Sequence, residues 1–301
     1  MTSEDAARLL AQDPHYRLLR RIPPLADWAF EPASGPLRRA LFLDVETTGL
    51  EERDEVIELA LLPFAYDRDT GRIVEVIEKE AYAGLRQPTI PIPPESARVH
   101  GLSDRDVAGH AIDEERVTAL ISSAQLIVAH NAAFDRPTVE KHWPIFESAA
   151  FACSLQDVAW SAEGLSSGKL DYLLMRQGWF YEAHRALEDA LAGVFLLTRH
   201  LPTSGIPTMQ ALLSSARRPL MAVRAEGAAF EAKAALRQRG YRWDPGDAAR
   251  AKAWWILTED AEAEVAWLNQ NIYQKPRDLR PIPVPATRRF SSRIWNAPQK
   301  D

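Results

Sequence analysis

Asp44 and Glu46 stand two residues apart in RALFLDVETTGL, a segment patterned as a strand. Side chains alternate along a strand, so both carboxylates project from one face. Leu41, Phe42, Leu43 and Val45 make the surroundings apolar. Two acids held there repel each other, and each costs free energy to desolvate. A bound cation would relieve both penalties. Taken alone, such a pair is more often a strand end with two solvated acids. Asp135 in AHNAAFD, taken alone, reads as a helix N-cap. Asp189 in HRALEDALAG reads as a surface acid, although Ala and Leu flank it, and His184, five residues earlier, reads as a surface or satisfied histidine.

The elements that must position these residues follow from the apolar pattern. Residues 39–50, 55–67 and 71–85 read as three consecutive meander strands, and 124–131 as a fourth. A helix follows in AAFDRPTVEKHW, and 184–201 repeat apolar residues at helical spacing. Residues 88–110 form a Pro-broken loop leading into short helices. Strands first, then helices mixed with further strands, predict a mixed sheet with helices packed on it, rather than a doubly wound parallel sheet.

Three motifs occur in order: D-x-E-T-T-G at 44–49, H-N-x-x-F-D at 130–135 and H-x-x-x-x-D at 184–189. They resemble the Exo I, Exo II and Exo III motifs of the DEDDh 3′–5′ exonucleases, the proofreading epsilon-subunit-like (DnaQ-like) family. PPESARVHGLS at 93–103 is similar to the segment that the epsilon-like branch carries between Exo I and Exo II. The tyrosine branch would need Tyr four residues before Asp189, where this chain has Arg185. The resemblance covers roughly residues 38–202. It implies a ribonuclease-H-like α/β exonuclease core with a mixed sheet of about five strands.

The resemblance implies metal-dependent 3′→5′ hydrolysis of DNA, or of RNA, releasing nucleoside 5′-monophosphates. Asp44, Glu46, Asp135 and Asp189 would hold two divalent cations. An all-oxygen donor set suits Mg²⁺ or Mn²⁺, and the single Cys153 argues against zinc. Asp44 would bridge the ions, and Asp189 would serve the one that activates water. His184 would be the general base, since an imidazole exchanges its proton near neutral pH. Thr47, Thr48, Gly49 and Leu50 would meet the terminal nucleotide, with Gly49 also permitting a positive-φ turn. Asn131 and Phe134 would line its pocket. His100 and His130 read as structural.

Around this core the chain divides into an N-terminal helical extension and linker (1–37), the exonuclease domain (38–202), a small Trp-rich α+β module (203–275) and a Pro/Arg-rich tail (276–301). Two readings of the module compete. Trp243 and one of Trp254/Trp255 could form its core, since small domains rely on large aromatics. Alternatively, Lys233, Arg237, Arg239, Arg242 and Lys252 flank exposed aromatics that stack on bases. The tail arginines Arg288, Arg289 and Arg293 read as solvated.

The net charge of −6 taken whole points away from nucleic acid, but it averages two regions. Residues 1–200 carry 20 Lys+Arg against 32 Asp+Glu, and residues 201–301 carry 16 against 10. The acidic part contains the metal carboxylates, and the basic part is the expected place for phosphate contacts. No apolar run is long enough to span a membrane, and MTSEDAARLL lacks the pattern of an export signal, so the expected location is cytoplasmic. The added module and the absence of a clamp-binding box favour a stand-alone repair or processing nuclease. The alternatives are a proofreading subunit with a polymerase partner, and an inactive exonuclease fold that only binds nucleic acid.

Overall fold

The computed structural model describes residues 2–248 and 250–295. The chain forms two compact units, Met1–Ala216 and Arg217–Asp301. In the first, helix α1 (Ser3–Gln12) opens on a capping box between Thr2 and Asp5. Strands β1 (Arg20–Arg21), β2 (Leu37–Thr47), β3 (Val56–Asp67), β4 (Ile73–Val76) and β5 (Tyr82–Leu85) follow. Helices α2 (Pro94–His100), α3 (Asp104–Val107) and α4 (Glu114–Ser123) lead to β6 (Leu126–Ala129) and α5 (Ala132–His142). Strand β7 (Phe151–Cys153), α6 (Leu170–Arg176), β8 (Trp179–Phe180), α7 (Ala186–Thr198) and α8 (Thr208–Ala216) complete it.

The main sheet has six strands in the order β4-β3-β2-β6-β7, with β5 also paired to β3. Strand β2 is central, antiparallel to β3 and parallel to β6, which makes the sheet mixed. The count exceeds the expected five for two reasons. The run 71–85 splits in two at a 3₁₀ turn over Glu78–Glu80, and β7 is only three residues long, too short to show a period.

Helix α7 lies on the face of the sheet that carries Phe42, Ala60, Leu62 and Phe64. It approaches closely because Gly193 leaves no room for a Cβ against the Phe42 ring. Phe42 and Asp44 are two apart on β2, and Gly193 and Asp189 are four apart on α7, so each pair shares a face. The close contact at Gly193 therefore sets Asp189 over the end of β2 that bears Asp44. Strand β1 pairs in parallel with β8 and ties the N-terminal extension to the segment that precedes α7.

The second unit contains β9 (Leu220–Glu226), α9 (Lys233–Gln238), β10 (Arg242–Asp244), β11 (Ala253–Thr258), α10 (Ala261–Asn271) and β12 (Ile282–Val284). Its antiparallel sheet runs β10-β11-β9-β12. Val223, Leu236, Tyr241, Trp254 and Leu268 form its centre.

Four expectations need correction. The division falls after Ala216 and not after residue 202, because α8 buries Met209, Leu212 and Leu213 in the first unit's core. Residues 276–295 are not a loose tail, since β12 pairs with β9 and Ile294 is buried; the stretch 296–301 lies outside the described residues. Arg289 is buried, and Arg288 and Arg293 are half-buried. Trp243 is 48% exposed because it sits on edge strand β10; its cross-strand partner Trp254, on the inner strand, is covered. Among the described residues, no helix is long and apolar enough to cross a membrane.

Candidate active site

Asp44 and Glu46 lie on the last turns of the β2 pleat, beyond the point where β6 stops pairing at Leu43. Both carboxylates project from one face of the strand and are half-buried. Asp189 enters from the first turn of α7. One carboxylate oxygen from each of Asp44, Glu46 and Asp189 lies within 4.8 Å of the others. Asp135, in the first turn of α5, is buried beside them but is not a fourth member of that close group.

The cluster is electrostatically loaded. Burial holds the Asp44 carboxyl well above the usual carboxylate range, and the charges of Asp135, Asp189, Glu46 and Glu58 add to this. Burial pushes Glu46 up to about 8, with Asp189 and Glu58 contributing. Asp135 is raised by burial and by its acidic neighbours. Asp189 is raised by burial, against hydrogen bonds that favour its charged form. Close, desolvated oxygen ligands of one sign fit a hard divalent cation. Cys153 stays out of the site, buried under α5, where it accepts a hydrogen bond from the Ala132 N–H.

Asp189 also organises the loop before it. Its Oδ2 accepts from the His184 N–H at 2.7 Å and the Arg185 N–H at 3.1 Å, and its Oδ1 accepts from the Tyr181 hydroxyl at 2.6 Å. His184 is thereby held at φ 73°, a left-handed conformation unusual outside glycine, with its ring exposed. Arg185 donates to Glu58 through Nε at 3.2 Å and Nη2 at 2.8 Å, and the Ala186 N–H donates to Glu58 at 3.1 Å. Glu58 is buried on β3, opposite Glu46 in register, and caps α7 from across the sheet.

Sequence alone does not single out Glu58 or Tyr181. A signal existed for Glu58, an acid inside the apolar run EVIELALL. Tyr181 gave none, since its distance from Asp189 matches no motif.

The expected nucleotide contacts divide. Leu50 is 85% exposed and borders a cleft of about 500 Å³ with Thr47, Gly49, Ser96, Val99 and His100. Thr47 is buried, its hydroxyl donating to the Gly49 carbonyl at 2.6 Å. Thr48 is fully buried; its hydroxyl donates to Asp54 at 2.9 Å and accepts from the Glu55 N–H at 3.0 Å. It therefore braces the turn and has no free hydroxyl for a ligand. Gly49 is not at positive φ; a Cβ there would fall 2.5 Å from Asp54 Oδ2, so close approach explains the glycine. Asn131 is exposed at φ 84°, opening α5, and Phe134 is half-buried. Neither Asn131 nor Phe134 borders that cleft.

His130 and His100 are held by hydrogen bonds within the fold. His130 bridges Ser154 Oγ at 2.9 Å and the Gly168 carbonyl at 2.8 Å, and burial lowers it to about 4, so it is neutral. His100 is buried and accepts from the Leu102 N–H through Nδ1 at 3.1 Å.

No curated protein matches the chain. Exonuclease X in complex with 5′-overhanging duplex DNA shares 23% identity, over 59% of this chain and 99% of that one, with a TM-score of 0.43. E. coli exonuclease I in complex with a dA16 oligonucleotide shares 16% identity, over 74% and 63%, with a TM-score of 0.47. This chain thus spans just under two thirds of exonuclease I. A 3′-exonuclease described with a histone mRNA stem-loop shares 14% identity, over 61% and 69%, with a TM-score of 0.44. The family described as RNase_T, Exonuclease, matches residues 41–197, more than half of the sequence and all three acidic motifs. The chain belongs to that exonuclease family, in its DEDDh type.

Proposed function

We propose that the protein is a 3′→5′ exonuclease that removes nucleoside 5′-monophosphates from the 3′ end of a polynucleotide, DNA in preference to RNA. The observation that carries this reading is the close group of Asp44, Glu46 and Asp189, with Asp135 beside it and His184 on the loop that Asp189 holds. These four acids would hold two divalent cations, Mg²⁺ or Mn²⁺. Bound there, the ions would lower the pKa of water and offset charge on the phosphate and the leaving oxygen. The exposed His184 ring takes the proton from the attacking water at a ring nitrogen and passes it to solvent. The exposed Leu50 packs against the terminal base, and the Gly49 turn keeps the backbone close to it.

A stand-alone repair or processing role is proposed over a polymerase subunit, because a second folded unit follows the exonuclease domain in place of a simple tail. The test is digestion of 5′- and 3′-labelled DNA and RNA strands by wild type and Asp44→Ala, with metal present or chelated. A 5′-labelled ladder shortening from the 3′ end, absent in the variant and with chelator, is the expected result. Internal cuts, or cleavage that survives Asp44→Ala, would overturn the reading.

A further inference from the structure

The second unit carries a recess of about 460 Å³ lined by Phe230, Lys233, Arg237, Trp243, Lys252 and Trp254, among others, with no acid in its lining among the described residues. Phe230 is 81% exposed and Trp243 is 48% exposed, so two large aromatic faces meet solvent. Lys233 lies over the Phe230 ring at 5.8 Å, and Arg237 over Trp254 at 5.6 Å. The charges in this unit are sorted. Arg224 and Arg250 are tied to Asp244, and Arg239 to Glu264. Lys233, Arg237 and Lys252 enter no ion pair among the described residues, although the unit has 16 basic against 10 acidic residues.

A ligand for this recess must supply flat apolar faces and anions at short spacing. An apolar protein segment would have to desolvate three ammonium or guanidinium groups. An acidic peptide would pair with the cations and leave the aromatic faces wet. A duplex keeps its base faces stacked on one another. An unpaired nucleic-acid strand offers both features together, since every base has a face to stack and every nucleotide a phosphate. We propose that this recess is a second binding site, for unpaired nucleotides, with Phe230 and Trp243 as stacking faces and Lys233, Arg237 and Lys252 on the phosphates. The proposal does not depend on hydrolysis.

The experiment uses the full chain in EDTA and follows the anisotropy of a short labelled single strand across a salt series. Phe230→Ala should weaken binding about tenfold, the range of one lost stacking contact. At so exposed a side chain this truncation removes no core packing. Lys233→Gln with Arg237→Gln should flatten the slope of log affinity against log salt by about 1.4, at ~0.7 per phosphate contact on a single strand. Hydrolysis of thymidine 5′-p-nitrophenyl phosphate, with one base and one phosphate, should be unchanged in both variants.

Unchanged affinity and unchanged salt slope would overturn the proposal. So would variants that lose binding to polyglutamate while keeping the oligonucleotide. A wild type that binds the strand with these sensitivities but hydrolyses nothing would leave this site standing and remove the catalytic reading.

Discussion

The Tyr181 hydroxyl donates to Asp189 Oδ1 at 2.6 Å, joining the end of β8 to a carboxylate of the acidic cluster. Burial and the Asp189 charge raise the phenol far above its ordinary range, so it remains a donor at any working pH. Tyr181→Phe keeps the ring and removes that donor. Groups that orient a metal ligand typically contribute 10–100-fold to affinity or activity. The expected outcome is at least about a tenfold rise in the metal concentration for half-maximal rate. Initial rates across a Mg²⁺ series will measure it, and an unchanged half-saturation point would count against an orienting role.

Glu46 gives a pH dependence with a definite sign. Its folded-state pKa is pushed up to about 8 from an ordinary 4.5. The folded chain thus binds a proton there that the unfolded chain releases, so its contribution to stability is full below about pH 4.5. That contribution is lost as pH rises through about 8. In chelator, the melting temperature should fall between pH 5 and pH 8; Mg²⁺ should restore it most at the alkaline end. Glu46→Gln should melt higher than wild type in chelator at pH 8 and respond less to pH. Thermal melts with and without metal at each pH check both statements.

The Arg185–Glu58 pair is asymmetric, with Glu58 buried and Arg185 half in solvent. Removing either partner should therefore have unequal effects. Arg185→Ala leaves a buried carboxylate with only the Ala186 N–H, and should destabilise by about 2 kcal/mol or more. Glu58→Gln retains an acceptor for that N–H and frees an arginine that water can solvate, so it should cost about 1 kcal/mol. Urea unfolding in chelator will rank them, and the reverse order would contradict the asymmetry.

His184 combines a proposed chemical role with a left-handed backbone. His184→Ala should reduce turnover by about 10²–10⁴-fold, the range for a lost general base, and leave metal binding intact. His184→Gly should lose the same activity but be more stable than His184→Ala by about 1 kcal/mol, because glycine adopts φ 73° without strain. Calorimetric metal titration and melts of the two variants separate chemistry from backbone.

Much of this was legible in the sequence because its signals are local. The D-x-E spacing, the apolar period of β2 and β3 and the three ordered motifs all sit within short windows, and they led to Asp44, Glu46, Asp189 and the mixed sheet. What escaped is non-local. Glu58 matters because register places it opposite Glu46 and because Arg185, 127 residues later, closes on it. Thr48 looked like a ligand contact from its motif, yet Asp54 and Glu55 occupy its hydroxyl once the turn has folded. Trp243 looked like core from its type, and only its place on an edge strand leaves it exposed. The start of the second unit is misread from sequence because TSGIPT at 203–208 is loop-like, while α8 beyond it packs Met209, Leu212 and Leu213 into the first unit's core.

The acidic group draws on elements of unequal tenacity. Asp44 and Glu46 ride an eleven-residue strand paired on both sides along part of its length. Asp189 rides a helix's opening turn, whose approach is tethered by the two-residue β1–β8 ladder and an exposed Arg21–Glu182 bridge. Brief fraying there would withdraw one carboxylate while the sheet stayed intact. Amide hydrogens at 184–187 should then exchange with solvent deuterium far sooner than those at 41–45, and trimming the chain before Ile22 should widen that gap. Competence for metal would become a local equilibrium, adjustable from the N-terminal extension without disturbing the core.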